Sequence, residues 1–367
     1  VDRARIKASD ELHERVQRFA SGASQEPFEA LALDIARFQA EAAPGFRRLL
    51  AARGGALNGV DDIPAVPSDA FRLARVATYA AELDIVRFHT SGTTGAERGT
   101  HVMRRTDTYE QLSLAFGRQA LLPRDGGVAV VVALAPPPTT PPSSSLGYMM
   151  ARFMESFDGR PLSSRWLLGA PGIDHDGLRQ AIALATERTE SLLLLGTAFA
   201  LVRLLDELDG ARLPLPDRSV VMQTGGFKGK SREVSMQELR SQLSDAFQVP
   251  ATNIVGEYGM TELTSQLYEA TVAGSELRAL HPNAAAGVYF EPPWLRVTPV
   301  DPVSLAPVPE GEAGLARFVD LGNVDSAVSV VTQDLVRRHD GGIQLLGRQP
   351  GAPARGCSLA IEALLRD

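Results

Sequence analysis

Hydrophobic residues recur every three or four positions between residues 10 and 53: Phe28, Leu31, Ile35 and Phe38, then, after Pro44, Phe46, Leu49 and Leu50. That spacing gathers apolar side chains on one face of a helix and predicts two amphipathic helices. From residue 85 the pattern changes. Short apolar runs at 85–89, 128–135, 192–195 and 220–222 are each followed by helical spacing, at 106–122, 146–157, 197–209 and 231–247. Alternation of this kind predicts an α/β fold, a mixed and parallel sheet with helices on both faces. After about residue 265, Pro282, Pro292, Pro293, Pro299, Pro302, Pro307 and Pro309 punctuate β-like runs at 287–290, 294–298, 314–319 and 328–332. This part is expected to be a small β-rich subdomain shaped as a distorted barrel. The boundaries expected are a helical region at 1–84, an α/β core at 85–264, the β-rich subdomain at 265–347 and a C-terminal tail at 348–367. The Pro- and Ser-rich stretch 136–145 lies between a strand and a helix, so it is expected to be an ordered loop in which Ser144 or Ser145 caps the helix.

Composition narrows the function classes. The chain has 367 residues, room for about two folding units. At 44% hydrophobic, 22% charged and 6% aromatic it is too apolar to be disordered. Its 37 Lys and Arg against 44 Asp and Glu leave a net charge of -7, without a block of like charges, which speaks against a nucleic-acid partner. The single cysteine, Cys357, excludes an internal disulfide, and six scattered histidines offer no zinc-ligand spacing. The longest apolar stretches, 128–135 and 192–205, are too short or are broken by Gly196 and Arg203, and 1–5 lacks a secretory signal. A cytoplasmic protein without membrane insertion is the expectation.

Four segments carry chemistry. The first follows a strand candidate: Thr90-Ser91-Gly92-Thr93-Thr94-Gly95-Ala96-Glu97-Arg98-Gly99-Thr100. Its glycines let backbone N–H groups curl toward one point, and its hydroxyls and Arg98 add donors, so it suits a polyphosphate; a plain surface loop is the alternative. The second, Thr224-Gly225-Gly226-Phe227-Lys228-Gly229-Lys230-Ser231, departs from a Walker loop at Thr224 and reads instead as a tight turn on which a flat ring could lie. Ser231 is its expected N-cap, with Glu233 in the first helical turn, and a turn with solvated lysines is the plain alternative. In the third, Gly256-Glu257-Tyr258-Gly259-Met260-Thr261-Glu262 presents carboxylate, hydroxyl and ring together at a strand end, where α/β sheets bind ligands. The fourth pairs Thr332-Gln333-Asp334 with Gly347-Arg348, an acid and a guanidinium able to hold two ribose hydroxyls.

Taken in this order, the segments resemble the adenylate-forming superfamily. Within it the chain is most similar to the acyl-protein synthetase (LuxE-like) family, on Ser144-Ser145-Leu146-Gly147, Thr224-Gly225-Gly226-Phe227-Lys228-Gly229, Val331-Thr332-Gln333-Asp334-Leu335, Gly347-Arg348 and Arg355-Gly356-Cys357-Ser358-Leu359. The resemblance implies an adenylate-forming large domain with the mobile C-terminal lid absent, and it implies ATP and Mg2+. Thr90, Ser91, Gly92, Thr93, Thr94 and Gly95 would grip the β- and γ-phosphates. Gly225 and Gly226 would flank adenine, Tyr258 and Gly259 would lie beside it, Thr261 would touch the α-phosphate and Glu262 would ligate Mg2+. Asp334 would hold the ribose hydroxyls with Arg348 nearby. Arg98 stands where the family has a lysine, and Arg98 and Lys228 are the candidate cations for the transferring phosphoryl group.

The implied reaction joins a carboxylic acid, fatty or aryl, to AMP and then passes the acyl group to a nucleophile. Cys357 is one candidate acceptor, with Arg355 able to stabilise its thiolate; a small buried hydrophobe is the other reading of that residue. An acyl reductase, a carrier protein or a small amine or thiol are the partners this implies. The competing functions are a coenzyme A or amide ligase with a diffusible acceptor, and a nucleotide-binding scaffold without catalysis. Intact Thr261 and Glu262 speak against the scaffold.

Overall fold

The computed structural model describes residues 2–90, 98–124, 130–158, 165–225, 234–349 and 355–365. Residues 2–53 hold three helices where two were expected, Arg3–Ala20, Phe28–Ala42 and Pro44–Ala52. Asp2 opens the first, its carboxylate accepting from the amides of Ala4 and Arg5, N–H groups that a helix start leaves unpaired. The second buries Phe28, Leu31, Ile35, Phe38 and Ala42 along one stripe. Pro44 starts the third, where its fixed φ suits the first turn and its missing N–H forfeits no bond.

Four parallel strands follow, Val130–Leu134, Leu192–Thr197, Val220–Thr224 and Ile254–Tyr258. Val131, Ala133, Leu193 and Leu195 pack with the helices Asp107–Leu121 and Ser145–Phe153. Val130, Val132, Leu192 and Leu194 point the other way, into His175–Arg188, Ala198–Leu208 and Met236–Phe247. A parallel strand covered on both faces needs apolar side chains at every position, which is why these strands read as continuous apolar runs. Ser144 caps its helix as expected, its hydroxyl accepting from the Gly147 amide at 3.1 Å. The helix after the Gly-rich turn is capped by Ser235, which accepts from the Glu238 amide; Ser231 and Glu233 lie outside the described residues.

Past Tyr258 the sheet changes direction. Leu267–Glu269, Val288–Phe290, Gly342–Arg348, Ser329–His339, Gly314–Asp320 and Leu295–Val300 follow in that spatial order, each antiparallel to its neighbour, and Val66–Pro67 lies parallel to Ser329–His339. The barrel expected after residue 265 is thus an open extension of one eleven-stranded sheet, with no hydrogen-bonded pair closing it among the described residues. Pro299 sits in the edge strand, where a missing N–H removes no interior ladder bond. No helix among the described residues is long and apolar enough to cross a membrane.

The connection from Asp320 to Val328 is buried at every residue, so each of its polar groups needs a partner inside the protein. Gln39 reaches it from the second helix, donating to the carbonyls of Asn323 and Val324 at 2.7 and 2.9 Å and accepting from the Val328 amide at 3.0 Å. Asp325 takes the Ser9 hydroxyl at 2.6 Å, the His13 Nε2 at 3.1 Å, the Thr78 hydroxyl at 2.9 Å and the Arg104 guanidinium at 2.9 Å. Burial alone would raise its pKa, yet these donors hold it down to about 2.

Where the parallel and antiparallel halves meet, Arg240 donates to both oxygens of Glu269 at 2.7 and 2.6 Å and to the Ile254 carbonyl at 2.6 Å. Glu269 is fully buried and also accepts the amides of Gly256 and Gly287 at 2.6 and 2.5 Å. Gly256 has to be glycine here, because a Cβ would stand 2.4 Å from the Tyr289 hydroxyl. Removing the guanidinium would leave a buried, uncompensated carboxylate. Arg240→Met is therefore expected to lower stability by about 3–5 kcal/mol, read as a fall in the urea midpoint. An unchanged midpoint would show that the pair does not hold this junction.

Candidate active site

The hairpin Val86–His89 and Thr100–Met103 frames the first chemical segment. The base of its loop is closed: the Thr90 amide donates to the Gly99 carbonyl at 2.9 Å, and the Gly99 amide donates back to the Thr90 hydroxyl at 3.0 Å. Ser91, Gly92, Thr93, Thr94 and Gly95 lie outside the described residues. Arg98 is exposed at the returning foot of the loop. The second segment begins at the end of Val220–Thr224, where the Thr224 hydroxyl donates to the Glu257 carboxylate on the adjacent strand. Gly225 follows at φ +72°, in the left-handed region that glycine enters without a steric cost. Gly226 and Lys228 lie outside the described residues. Glu257 is 5% exposed, and burial raises its pKa to about 7 against the opposing effect of the Thr224 bond. A Cβ at Gly259 would stand 2.6 Å from the Glu257 Oε1, so a larger residue there would displace that carboxylate.

Tyr258 and Asp334 belong to strands far apart in the sheet order, yet the sheet curls until the Tyr258 hydroxyl donates to the Asp334 Oδ2 at 2.7 Å. The Tyr258 ring stacks on Phe318, with centroids 5.9 Å apart and planes 12° apart. Burial and the neighbouring Asp334 charge push its pKa well above the usual phenol value. Within its strand the Asp334 amide donates to the Thr332 hydroxyl at 3.0 Å, and Arg348 is its cross-strand partner. The structure thus brings Tyr258, Asp334 and Arg348 to one place. The pairing of acid and guanidinium suggested by sequence matches the register of these two strands.

Thr261 is half-buried and Glu262 is 7% exposed. The backbone they share is held at successive points. His101 Nδ1 lies 2.7 Å from the Thr261 carbonyl, Asn323 Nδ2 donates to the Glu262 carbonyl at 2.9 Å, and the Thr264 amide donates to the Asp320 Oδ2 at 2.9 Å. Asp320 is fully buried and its pKa rises to about 6, burial outweighing the donors from Ser265, Thr264 and Gly322. None of His101, Asn323 and Asp320 was singled out from the sequence. They sit in strand and connection residues without a motif of their own, and only a histidine two residues past Gly99 gave any local sign.

Of the two readings of Cys357, acceptor thiol and small buried hydrophobe, its surroundings favour the second. It lies in the helix Arg355–Leu365, 2% exposed, packed with Ala65, Val300, Leu305, Leu315 and Val331. Val331 and Leu335 point to that cluster, whereas Tyr258 packs with the core on the opposite side of the same strand. Burial and then Asp69 raise the thiol pKa to about 11, and the cation opposing them is Arg53 rather than Arg355. In this position the sulfur is a small buried hydrophobe.

The comparisons with known proteins agree with this architecture. The chain is similar to the long-chain-fatty-acid–luciferin-component ligase of Aliivibrio fischeri, 22% identical over 326 residues that cover 84% of this chain and 80% of that protein. It also resembles the Vibrio harveyi protein of the same name, 25% identical over 154 residues, 39% of this chain and 37% of the relative. Among solved structures, a 2-hydroxyisobutyryl-CoA ligase in an open conformation, crystallised with 2-HIB-AMP and CoA, superposes with a TM-score of 0.59 at 14% identity over 86% of this chain and 73% of its own. That last likeness is one of fold. The family profile described as acyl-protein synthetase, LuxE, matches residues 56–365, and the chain accordingly belongs to this enzyme family.

Proposed function

We propose that the protein activates a carboxylic acid with ATP, forming an acyl adenylate and releasing pyrophosphate, and that the acyl group then passes to a thiol. A carboxylate oxygen attacks the α-phosphorus, the bond from that phosphorus to the bridging oxygen breaks, and pyrophosphate leaves with the electron pair. The observation that carries the reading is the Tyr258–Asp334 bond beside the Thr261–Glu262 segment, in a chain of the LuxE family. Asp334 holds the ribose hydroxyls, with Tyr258 fixing the carboxylate and Arg348 across from it. Thr261 offers its hydroxyl to the α-phosphate, and Gly225, Gly226 and Gly259 leave bare backbone for the adenine. Thr90 through Gly95 and Arg98 receive the outer phosphates, with Lys228 as the second cation. The acid class is a long-chain fatty acid first, since both relatives are named for one, with an aryl acid as the alternative.

Mg2+ fits the donor set only as part of a shared site. Among the described residues no group of three or more His, Cys, Asp or Glu side chains is placed to hold a metal by itself. Mg2+ commonly takes one or two carboxylates and fills its octahedron with phosphate oxygens and water, so Glu262 alone would be an ordinary protein ligand for it. Bound there, the ion would neutralise charge on the phosphates.

The burial of Cys357 favours an acceptor thiol from outside, on a carrier protein, an acyl reductase or a free molecule such as coenzyme A. Acceptance by Cys357 itself requires the helix Arg355–Leu365 to leave the strand Ser329–His339. An amide ligase differs only in the nucleophile.

Carboxylate-dependent exchange of labelled pyrophosphate into ATP is the direct test, run with a panel of fatty and aryl acids. Exchange is expected with at least one acid, and Glu262→Ala is expected to reduce it on the order of a hundredfold or more; no exchange with any acid would favour the scaffold. Asp334→Ala is expected to raise the KM for ATP about tenfold or more, since two ligand hydroxyls lose their acceptor, with only a small fall in melting temperature from the Tyr258 hydroxyl left without its acceptor. Normal ATP binding with a melting point several degrees lower would make Asp334 a structural residue. Iodoacetamide is expected to label native Cys357 slowly at about pH 8, with the rate rising about tenfold per pH unit toward its raised pKa. Rapid labelling at neutral pH would show that the helix opens and would return Cys357 to the acceptor role.

A further inference from the structure

His101 lies on the strand Thr100–Met103, at 2% exposure, with its ring against the edge of Phe71 at 5.6 Å. A carbonyl oxygen only accepts, so the 2.7 Å contact to the Thr261 carbonyl requires a proton on Nδ1. Burial keeps the ring neutral by lowering its pKa to about 4, with the Thr261 bond opposing. Nε2 is then an acceptor, and the Ser326 hydroxyl at 3.0 Å is its donor. Ser326 follows Asp325, which the N-terminal helix holds through Ser9 and His13. One fixed tautomer therefore ties the carbonyl just ahead of Glu262 to the buried connection that anchors the first helix.

We propose that His101 is a positioning residue for the adenylation step, fixing the Thr261–Glu262 backbone through its Nδ1–H so that the hydroxyl and carboxylate of that segment keep their aim at the reacting phosphate. This rests on the function proposed above. His101 touches no substrate. Its effect reaches the chemistry through one peptide carbonyl, so it bears on the rate of the step more than on the binding of ATP. Displacing a positioned group by about an ångström costs up to about a hundredfold in rate.

The test compares His101→Leu with His101→Asn. Asparagine places its Nδ2 where the imidazole has Nδ1 and can donate to the same carbonyl; leucine fills similar space and donates nothing. His101→Leu is expected to lower kcat for pyrophosphate exchange by about tenfold to a hundredfold with the KM for ATP within about twofold, and His101→Asn to recover most of the loss. The parent's ring is expected to show the neutral Nδ1–H tautomer by nitrogen NMR of labelled histidine, without titration between about pH 6 and pH 8. Equal losses in both variants that track a lowered melting temperature would overturn the proposal by making His101 a packing residue. So would an unaffected kcat in His101→Leu, or a ring that titrates in the neutral range. Absence of exchange in the parent protein with every acid would instead remove the proposed function itself.

Discussion

The rest of the molecule is organised around the burial of a polar connection. Residues 320–328 are carried into the interior between two antiparallel strands, and backbone N–H and C=O groups taken out of water cost free energy unless they are paired. The partners come from places remote in sequence: Gln39, Ser9, His13, Thr78, Arg104 and Thr264. Satisfying one stretch of backbone thus docks the N-terminal helices, the strand that leaves the first loop, and the segment that carries Glu262. The site inherits its rigidity from this requirement, since Asn323 and Asp320 serve the connection and the Thr261–Thr264 backbone together.

A second constraint is the change of strand direction after Tyr258. A parallel sheet leaves its ligand-binding ends along one edge, and here the antiparallel continuation curls over that edge. The curl brings Asp334 and Phe318 to Tyr258 although several strands lie between them along the ladder. Glu269 supports the junction by accepting from two amides and a guanidinium at once. Asp325 is held low in pKa by the His13 and Ser9 hydrogen bonds and the Arg104 charge, whereas Glu257 and Asp320, which have hydrogen-bond donors but, among the described residues, no cation beside them, are pushed up by burial.

The same strand separates two environments. On the face of Ser329–His339 toward Tyr258 stands the acid proposed for the ribose; on the other face Val331 and Leu335 help to bury Cys357. A thiol in that cluster contributes packing, and chemistry at its sulfur requires the helix that carries it to move. The apolar setting, more than any nearby charge, keeps it protonated.

By itself the sequence determined the α/β class, the parallel strands and their flanking helices, because two-sided burial and helical amphipathicity leave periodic marks on a contiguous stretch of chain. Local chemistry was legible in part: Ser144, one of two cap candidates, caps its helix, and the motifs of Asp334 and Arg348 lie opposite each other on neighbouring strands. The cap at Ser235, the third N-terminal helix and the open course of the β-rich part were not legible, since each depends on where a strand or helix finds its partners. Tertiary structure alone decided that His101 faces the Thr261 carbonyl, that Asp320 and Asn323 hold the Glu262 segment, and that Cys357 points away from Asp334's side of its strand. These residues meet across separations of tens to hundreds of positions, and a hydrogen bond or a buried thiol over such a distance leaves no periodicity behind; the need to satisfy buried polar groups fixes it only when the chain has folded.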